Sequence, residues 1–193
     1  MNKNIIWFLV PVCGGSLISP HLVLSAYHCT WSKKAPPYDG STPCDHSDGK
    51  RNAILGHNKI IGNRKLKKDL YYTIPIIDVI YPNPGKQKFK RRDYHSHDLA
   101  ILVLKFPAKL SRNIQPICLP EQDQDFSGVT ANAAGWGRFA APRVSKKQSR
   151  MLKAVSLTVS KKKYKHFNFI GTKLMKNKKG EYKDPCSGDS GKT

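Results

Sequence analysis

Asp184-Pro-Cys-Ser-Gly-Asp-Ser-Gly-Lys-Thr193 closes the chain, and the rest of the sequence is best read outward from it. Ser190 has an aspartate immediately before it, a glycine two before and a cysteine four before. A serine hydroxyl is a poor nucleophile until a base takes its proton and donors stabilise the resulting oxyanion. A tight Gly-Asp-Ser-Gly turn can present both the hydroxyl and two backbone N–H groups. The stretch therefore directs attention upstream, to a histidine and a buried carboxylate.

At 193 residues the chain is long enough to bury a substantial core in one compact domain or two small halves. Lys and Arg number 34 against 13 Asp and Glu, a formal charge of +21. Such an excess can hold polyanions by counterion release, or it can be a solvated lysine-rich surface. Five cysteines, at 13, 29, 44, 118 and 186, include no CxxC pair, so a disulfide framework is the better reading than zinc, and with it an oxidising, secreted setting. Being odd in number, they leave at least one thiol without a partner in the chain. Residues 1–10 have the lysine and short apolar run of a minimal signal peptide, but Pro11 interrupts them and no small-residue cleavage site precedes Cys13, so a strand is expected there. Nothing else approaches the roughly 20 apolar residues of a membrane span.

Short runs rich in Val, Ile and Leu, broken by Gly and Pro, predict strands over 5–12 and 15–26, from Ala53, over Tyr71–Ile80 with Pro75 suiting an edge, and over Leu99–Leu104. The continuous run of the last has the pattern of a strand buried on both faces. Polar residues 31–52, with three prolines and Cys44, read as a long surface loop and the natural place for an insertion. Residues 107–125 look like a connection between two halves, with a boundary near 120–127. Further strands are expected at Val129–Trp136, Met151–Val159 and Phe167–Ile170, and the lysines at 161–163 could start a short helix. Many short strands with turn signals make an all-β barrel or sandwich.

A Ser-His-Asp mechanism needs a histidine near the hydroxyl, a buried carboxylate that fixes its tautomer, and N–H donors aimed at the oxyanion. His28 follows the strand-like Leu22–Ala26 and stands beside Cys29, which could anchor the strand end to Cys13. Asp98 stands at the mouth of the apolar run. His95 and His97 are nearby alternatives to His28.

These motifs together resemble the trypsin-like serine proteases of the chymotrypsin fold. Cys13-Gly-Gly-Ser-Leu-Ile-Ser19 is similar to the strand before the family's catalytic histidine, and Leu24-Ser-Ala-Tyr-His-Cys29 to its histidine motif, with Tyr27 where alanine is usual. His97-Asp-Leu-Ala-Ile-Leu102 resembles the aspartate motif, Asn113-Ile-Gln-Pro-Ile-Cys-Leu-Pro120 the connection between barrels, Gly135-Trp-Gly137 a marker of the second barrel, and 184–191 the serine motif. The resemblance covers almost the whole chain. It implies two six-stranded antiparallel barrels, the second incomplete. Residues 1–122 would form the N-terminal barrel, with His28, Asp98 and the 31–52 insertion, and 123–193 the C-terminal one with Ser190, together one peptidase domain.

Carried over residue by residue, the resemblance implies Ser190 as nucleophile, His28 as general base and acid, Asp98 as orienting carboxylate, and the N–H groups of Gly188 and Ser190 as oxyanion hole. Asp184 would lie at the base of a pocket selecting Arg or Lys side chains, a buried anion facing a cation. Asp189 would pair with a new amino terminus on activation. The Cys13–Cys29 disulfide is also implied. His57 and a basic run stand where the family's calcium loop has carboxylates, so no metal and no cofactor are expected.

Both ends depart from the family. Only 12 residues precede Cys13, Lys192 replaces a glycine, the chain stops at Thr193, and the second barrel's expected cysteine pair is absent. The sequence therefore reads as a fragment of a secreted endopeptidase cleaving after Arg or Lys, with little or no activity as it stands. Cys118 resembles a cysteine that ties the catalytic domain to its propeptide, and a Cys44–Cys118 bridge is arithmetically possible. Expected partners are protein or peptide substrates, with a monomer and neither nucleic acid nor a membrane span. The alternative is a non-catalytic homologue binding sulfated polyanions through the lysines of 59–68, 86–92, 146–153 and 161–179.

Overall fold

Period-two burial organises the first half of the molecule, because successive side chains of a strand point to opposite faces. The computed structural model describes residues 5–8, 13–30, 52–59, 72–80, 98–137, 149, 151–164, 167–172, 175–176 and 182–183, with the backbone alone for 5–8, 28 and the residues beyond 160. The loop expected over 31–52 lies outside these, apart from Asn52, which opens a strand.

Six strands close into an antiparallel barrel: β1 (Ile5–Phe8), β2 (Gly14–Ser19), β3 (Leu22–Ser25), β4 (Asn52–Leu55), β5 (Tyr72–Ile80) and β6 (Ala100–Leu104). They lie in the order β1-β2-β3-β6-β5-β4, and β1 closes the ring by pairing with both β2 and β4. The apolar run near the start of the chain is thus a barrel strand. In β6 the residues Ala100, Leu102 and Leu104 are buried and alternate with half-buried Ile101 and Val103, so the run expected to be buried on both faces has one deep face and one partly covered. With Leu17, Val23, Leu55, Ile74 and Ile76 these side chains fill the barrel.

Pro75, expected on an edge, sits in a closed barrel that has none. Its carbonyl accepts the N–H of Lys105, one residue beyond the end of β6, at 2.8 Å. In a strand the N and O of one residue face the same neighbour. The missing N–H of the proline therefore falls where β6 has already finished, and at most one terminal ladder bond is lost.

Gly15 has a packing reason. A Cβ there would lie 2.7 Å from Val23 Cγ1 and 2.9 Å from the Leu24 carbonyl oxygen, so only glycine lets β2 approach β3 this closely.

After β6 the chain runs over the barrel. Ala108 donates its N–H to the Pro20 carbonyl at 2.7 Å and Ile117 donates to that of Leu17 at 2.8 Å, while Ser111 and Ile114 exchange backbone hydrogen bonds. Ile114 is buried against the core and lies over Gly56, whose φ of 78° favours glycine.

Beyond this connection β7 (Thr130–Gly135), β8 (Lys153–Tyr164) and β9 (Phe167–Thr172) form a three-stranded antiparallel sheet, and β10 (Met175–Lys176) pairs with β11 (Tyr182–Lys183). Among the described residues this second set does not close, so the fold is all-β with one closed six-stranded barrel and an incomplete second one. The helix suggested at 161–163 is replaced by strand. Lys161, Lys162 and Lys163 continue β8 and pair in register with Ile170, Phe169 and Asn168 of β9, because cross-strand pairing outweighs the weak local preference of lysine.

Among the described residues the Asn58 carbonyl is one point that joins the two sets. Asn58, in the turn after β4, accepts the indole N–H of Trp136 at 3.1 Å and the backbone N–H of Leu152 at 2.7 Å. Trp136 is 2% exposed and packs on Ile54, Ala134 and Leu152. Lys59 forms a β-bridge to Met151 beside it.

Candidate functional site

β3 ends at Ser25, and the chain leaving it is held from several sides. The Ser25 hydroxyl, 2% exposed, donates to the Gly14 carbonyl at 2.8 Å, tying the strand end to the start of β2. Ala26 and Tyr27 remain buried as the chain bends into a single 3-10 turn, Tyr27–Thr30. Within it Cys29 donates its N–H to the Ala26 carbonyl at 3.1 Å, and the Thr30 hydroxyl donates to the Tyr27 carbonyl at 2.7 Å. A disulfide joins Cys29 to Cys13 just before β2. Residue 28 sits in the middle of this turn, directly after two tied carbonyls and before a covalent anchor.

Asp98, half-buried, lies two residues before β6. The β3–β6 ladder pairs Ser25 with Ala100. His28, three residues beyond Ser25, and Asp98, two before Ala100, therefore leave the same end of two neighbouring antiparallel strands. Sequence positions 70 apart are brought to one rim of the barrel by that pairing. A carboxylate beside an imidazole can fix its tautomer and stabilise its protonated form.

Asp184, Cys186, Gly188, Asp189 and Ser190 lie outside the described residues, as do His95, His97 and Cys44. Cys118 is an exposed free thiol on the connection between the two sets of strands, which removes the Cys44–Cys118 bridge. In the turn after β4, His57 Nδ1 accepts the backbone N–H of Lys59 at 2.9 Å. Among the described residues no three His, Cys, Asp or Glu side chains group as metal ligands would, and no helix is long and apolar enough to cross a membrane.

Two contributors escaped the sequence reading, Thr30 and the Asn58 carbonyl. A threonine ending a short turn can bond back to a carbonyl three residues earlier, so Thr30 had a local signal. The double acceptor at Asn58 had none, since it depends on elements 78 residues apart in the case of Trp136.

Comparison with known proteins places these features in context. The trypsin family model matches residues 6–192. A CLIP domain-containing serine protease, B10, of Anopheles gambiae is 28% identical over 194 residues, covering 93% of this chain and 49% of its own length. The chain thus spans about half the length of that relative. Among solved structures, a mutant of human heparin binding protein (CAP37) superposes with a TM-score of 0.72 at 21% identity, covering 98% of this chain and 73% of its own. Neuropsin, a serine protease of mouse brain, gives 0.68 at 20% identity over 99% of this chain and 76% of its own. At such identities the two structures speak for the fold alone, and they agree with the barrel described above. Since the family model runs from β1 through both sets of strands to the last residues of the chain, the protein belongs to the trypsin family, with the fold of a trypsin-like serine protease.

Proposed function

We propose that the protein is a serine endopeptidase of secreted or extracellular location that cleaves after Arg or Lys through an acyl-enzyme. The observation that carries the reading is the shared rim: within a chain of the trypsin family, the Ser25–Ala100 pairing lets residues 28 and 98 leave the same end of neighbouring strands, which supports His28 and Asp98 as partners. In this reading the His28 imidazole takes the proton of the Ser190 hydroxyl as its oxygen attacks the scissile carbonyl, and later delivers it to the leaving amine. Asp98 holds the imidazole in the tautomer that can accept that proton. The N–H groups of Gly188 and Ser190 stabilise the oxyanion, Asp184 pairs with the basic side chain of the substrate, and Asp189 responds to activation.

A fluorophosphonate probe tests this, because it reacts only with a serine whose base and oxyanion donors are in place. Labelling mapped to Ser190, abolished in Ser190→Ala and slowed at least a hundredfold in His28→Ala, supports the reading. Because this chain by itself is expected to have little or no activity, the test is made on the full-length protein after activation, and absence of label on Ser190 there overturns the reading. Replacing Asp184 by serine should shift cleavage of peptide substrates away from Arg and Lys, and unchanged preference would remove Asp184 from the pocket.

A second reading is favoured by the charge of +21 and by the name of the neighbour called heparin binding protein. Here the chain is a binding module for sulfated polyanions, with lysine-rich segments as the contact surface. Retention on heparin at ~0.5 M salt combined with absent Ser190 labelling would favour it, because tight retention in salt requires many clustered charge contacts.

A further inference from the structure

We propose that the segment from Lys105 to Arg112 is a docking surface for an acidic peptide segment that carries apolar side chains. The barrel has two ends. Residues 28 and 98 leave one of them, where β3 finishes and β6 begins. At the other, β2, β4 and β6 finish and β1, β3 and β5 begin, as the antiparallel pairings require. The five residues of β6 separate the two ends by roughly 16 Å. The chain leaving β6 runs across the second end and is fastened as it goes. Leu104 donates its N–H to the His21 carbonyl at 2.9 Å, Lys105 to that of Pro75 at 2.8 Å and Ala108 to that of Pro20 at 2.7 Å. The Tyr72 hydroxyl donates to the Pro107 carbonyl at 3.2 Å, and Ile114 lies over Gly56. The segment is thus held against the β2–β3 turn, against β5 and against the turn after β4.

Those contacts sort its side chains. Ala108 and Ile114 are buried in the barrel core, and Lys105, Phe106, Lys109, Leu110 and Arg112 are left exposed. Phe106 is 56% exposed and Leu110 50%. From Leu99 to Pro120 the chain has no carboxylate, and exposed His21 and Lys59 stand on two of the turns beside it. The Lys105 ammonium lies 5.5 Å from the centroid of the Phe106 ring, so charge and apolar surface adjoin. A merely solvated basic face has no use for large apolar side chains in water, whereas an apolar pair set among cations marks an interaction site. A sulfated polysaccharide would engage the charges and leave Phe106 and Leu110 wet. An acidic peptide with apolar side chains uses both, its carboxylates pairing with Lys105, Lys109 and Arg112 while its apolar groups cover Phe106 and Leu110. The surface shares no residue with the catalytic reading, and Lys105, Lys109 and Arg112 lie outside the lysine-rich segments of the polyanion reading. It therefore stands independently of both.

The experiment measures, by fluorescence anisotropy, binding of a labelled peptide of repeated Glu-Glu-Phe units and of a second peptide of Glu-Glu-Ser units with the same charge. The expected result is that the chain binds the Glu-Glu-Phe peptide at least about tenfold more tightly, and that Phe106→Ser combined with Leu110→Ser removes this preference. Reversing three charges together, in Lys105→Glu, Lys109→Glu and Arg112→Glu, should weaken binding at least about tenfold. The same change of charge on β8, in Lys153→Glu, Lys161→Glu and Lys163→Glu, should weaken it less than about threefold, since salt screens distant charges. The substituted positions of the docking surface are exposed, and an unchanged urea midpoint shows those variants to be folded. Equal affinity for the two peptides overturns the proposal. So does an equal loss in the two triple variants, which would make binding a matter of net charge alone. Heparin retention that falls in the Lys105, Lys109 and Arg112 variant, with no binding of the Glu-Glu-Phe peptide to the unmodified chain, would assign the surface to polyanions and equally overturn it.

Discussion

Replacing Trp136 by phenylalanine tests the joint between the barrel and the second sheet. Two quantities are lost. The indole N–H no longer reaches the Asn58 carbonyl at 3.1 Å, but that oxygen keeps the N–H of Leu152 at 2.7 Å and so is not orphaned. The hydrogen-bond loss therefore stays near its net value of about 1 kcal/mol rather than the larger penalty of an unmet buried group. The second loss is volume, because the smaller ring leaves part of the space between Ile54, Ala134 and Leu152 unfilled. Full truncation of a buried aromatic costs about 3–5 kcal/mol, and the part lost on going to phenylalanine is roughly 1–2 kcal/mol. The sum is about 2–3 kcal/mol. Urea unfolding followed by far-ultraviolet circular dichroism gives the value directly, and Trp136→Ala should be worse by at least a further 1 kcal/mol or so. Were Trp136→Phe to unfold within about 0.5 kcal/mol of the unmodified protein, the range of ordinary surface substitutions, the indole could not be the packed, bonded anchor described here.

The barrel itself yields three further outcomes. Gly15→Ala should destabilise by about 1–3 kcal/mol in the same urea experiment, because its Cβ would stand 2.9 Å from the backbone oxygen of Leu24, and a backbone atom cannot swing aside; a neutral effect would mean that β2 and β3 lie farther apart. Leu102→Ala, at a 2%-exposed position in the barrel core, should cost about 2–5 kcal/mol, while Leu99→Ala just outside β6 should change stability by under about 0.5 kcal/mol; equal effects at the two sites would refute the burial pattern of β6. Replacing Cys13 and Cys29 together by alanine removes a cross-link between residues 16 apart and should lower stability by about 3 kcal/mol, whereas Cys118→Ser should be silent because that thiol is free and exposed.

How far the sequence made this visible depends on the range of the interaction. The strand at Ala100–Leu104 was legible because its apolar residues are contiguous and a strand of that length needs nothing else to announce it. So was the place of residue 28, beside a cysteine and past a short apolar run. Pro75 misled because a proline speaks of a missing donor, while the question of which neighbour misses it is settled by β6, nearly 30 residues later. Lys161–Lys163 misled in the same way: a lysine run carries little strand signal, and the partner that makes it a strand is β9. The convergence of His28 and Asp98 could be supposed from family likeness, but its physical cause is the ladder from Leu22↔Val103 to Ser25↔Ala100. No local pattern encodes that register.

That register explains how a site can depend on so few residues. Slipping one strand by a single residue would turn every side chain of β3 to the other face, putting Val23 and Ser25 outside and Leu22 and Leu24 inside. Val23 is fully buried, and Ser25 spends its hydroxyl on Gly14, so the buried face of β3 resists the slip from two causes, one apolar and one polar. On the partner strand Ala100, Leu102 and Leu104 impose the same phase. The rim where residues 28 and 98 emerge is therefore fixed by core packing some residues away from either. Changes in the core that keep the alternation should leave the rim in place even when they weaken the fold, while an insertion between Asp98 and Ala100 shifts residue 98 against residue 28, and one between Ser25 and residue 28 does so at the further cost of disturbing the buried Ala26 and Tyr27. Stability and alignment of the site are in this way set by different parts of the same two strands.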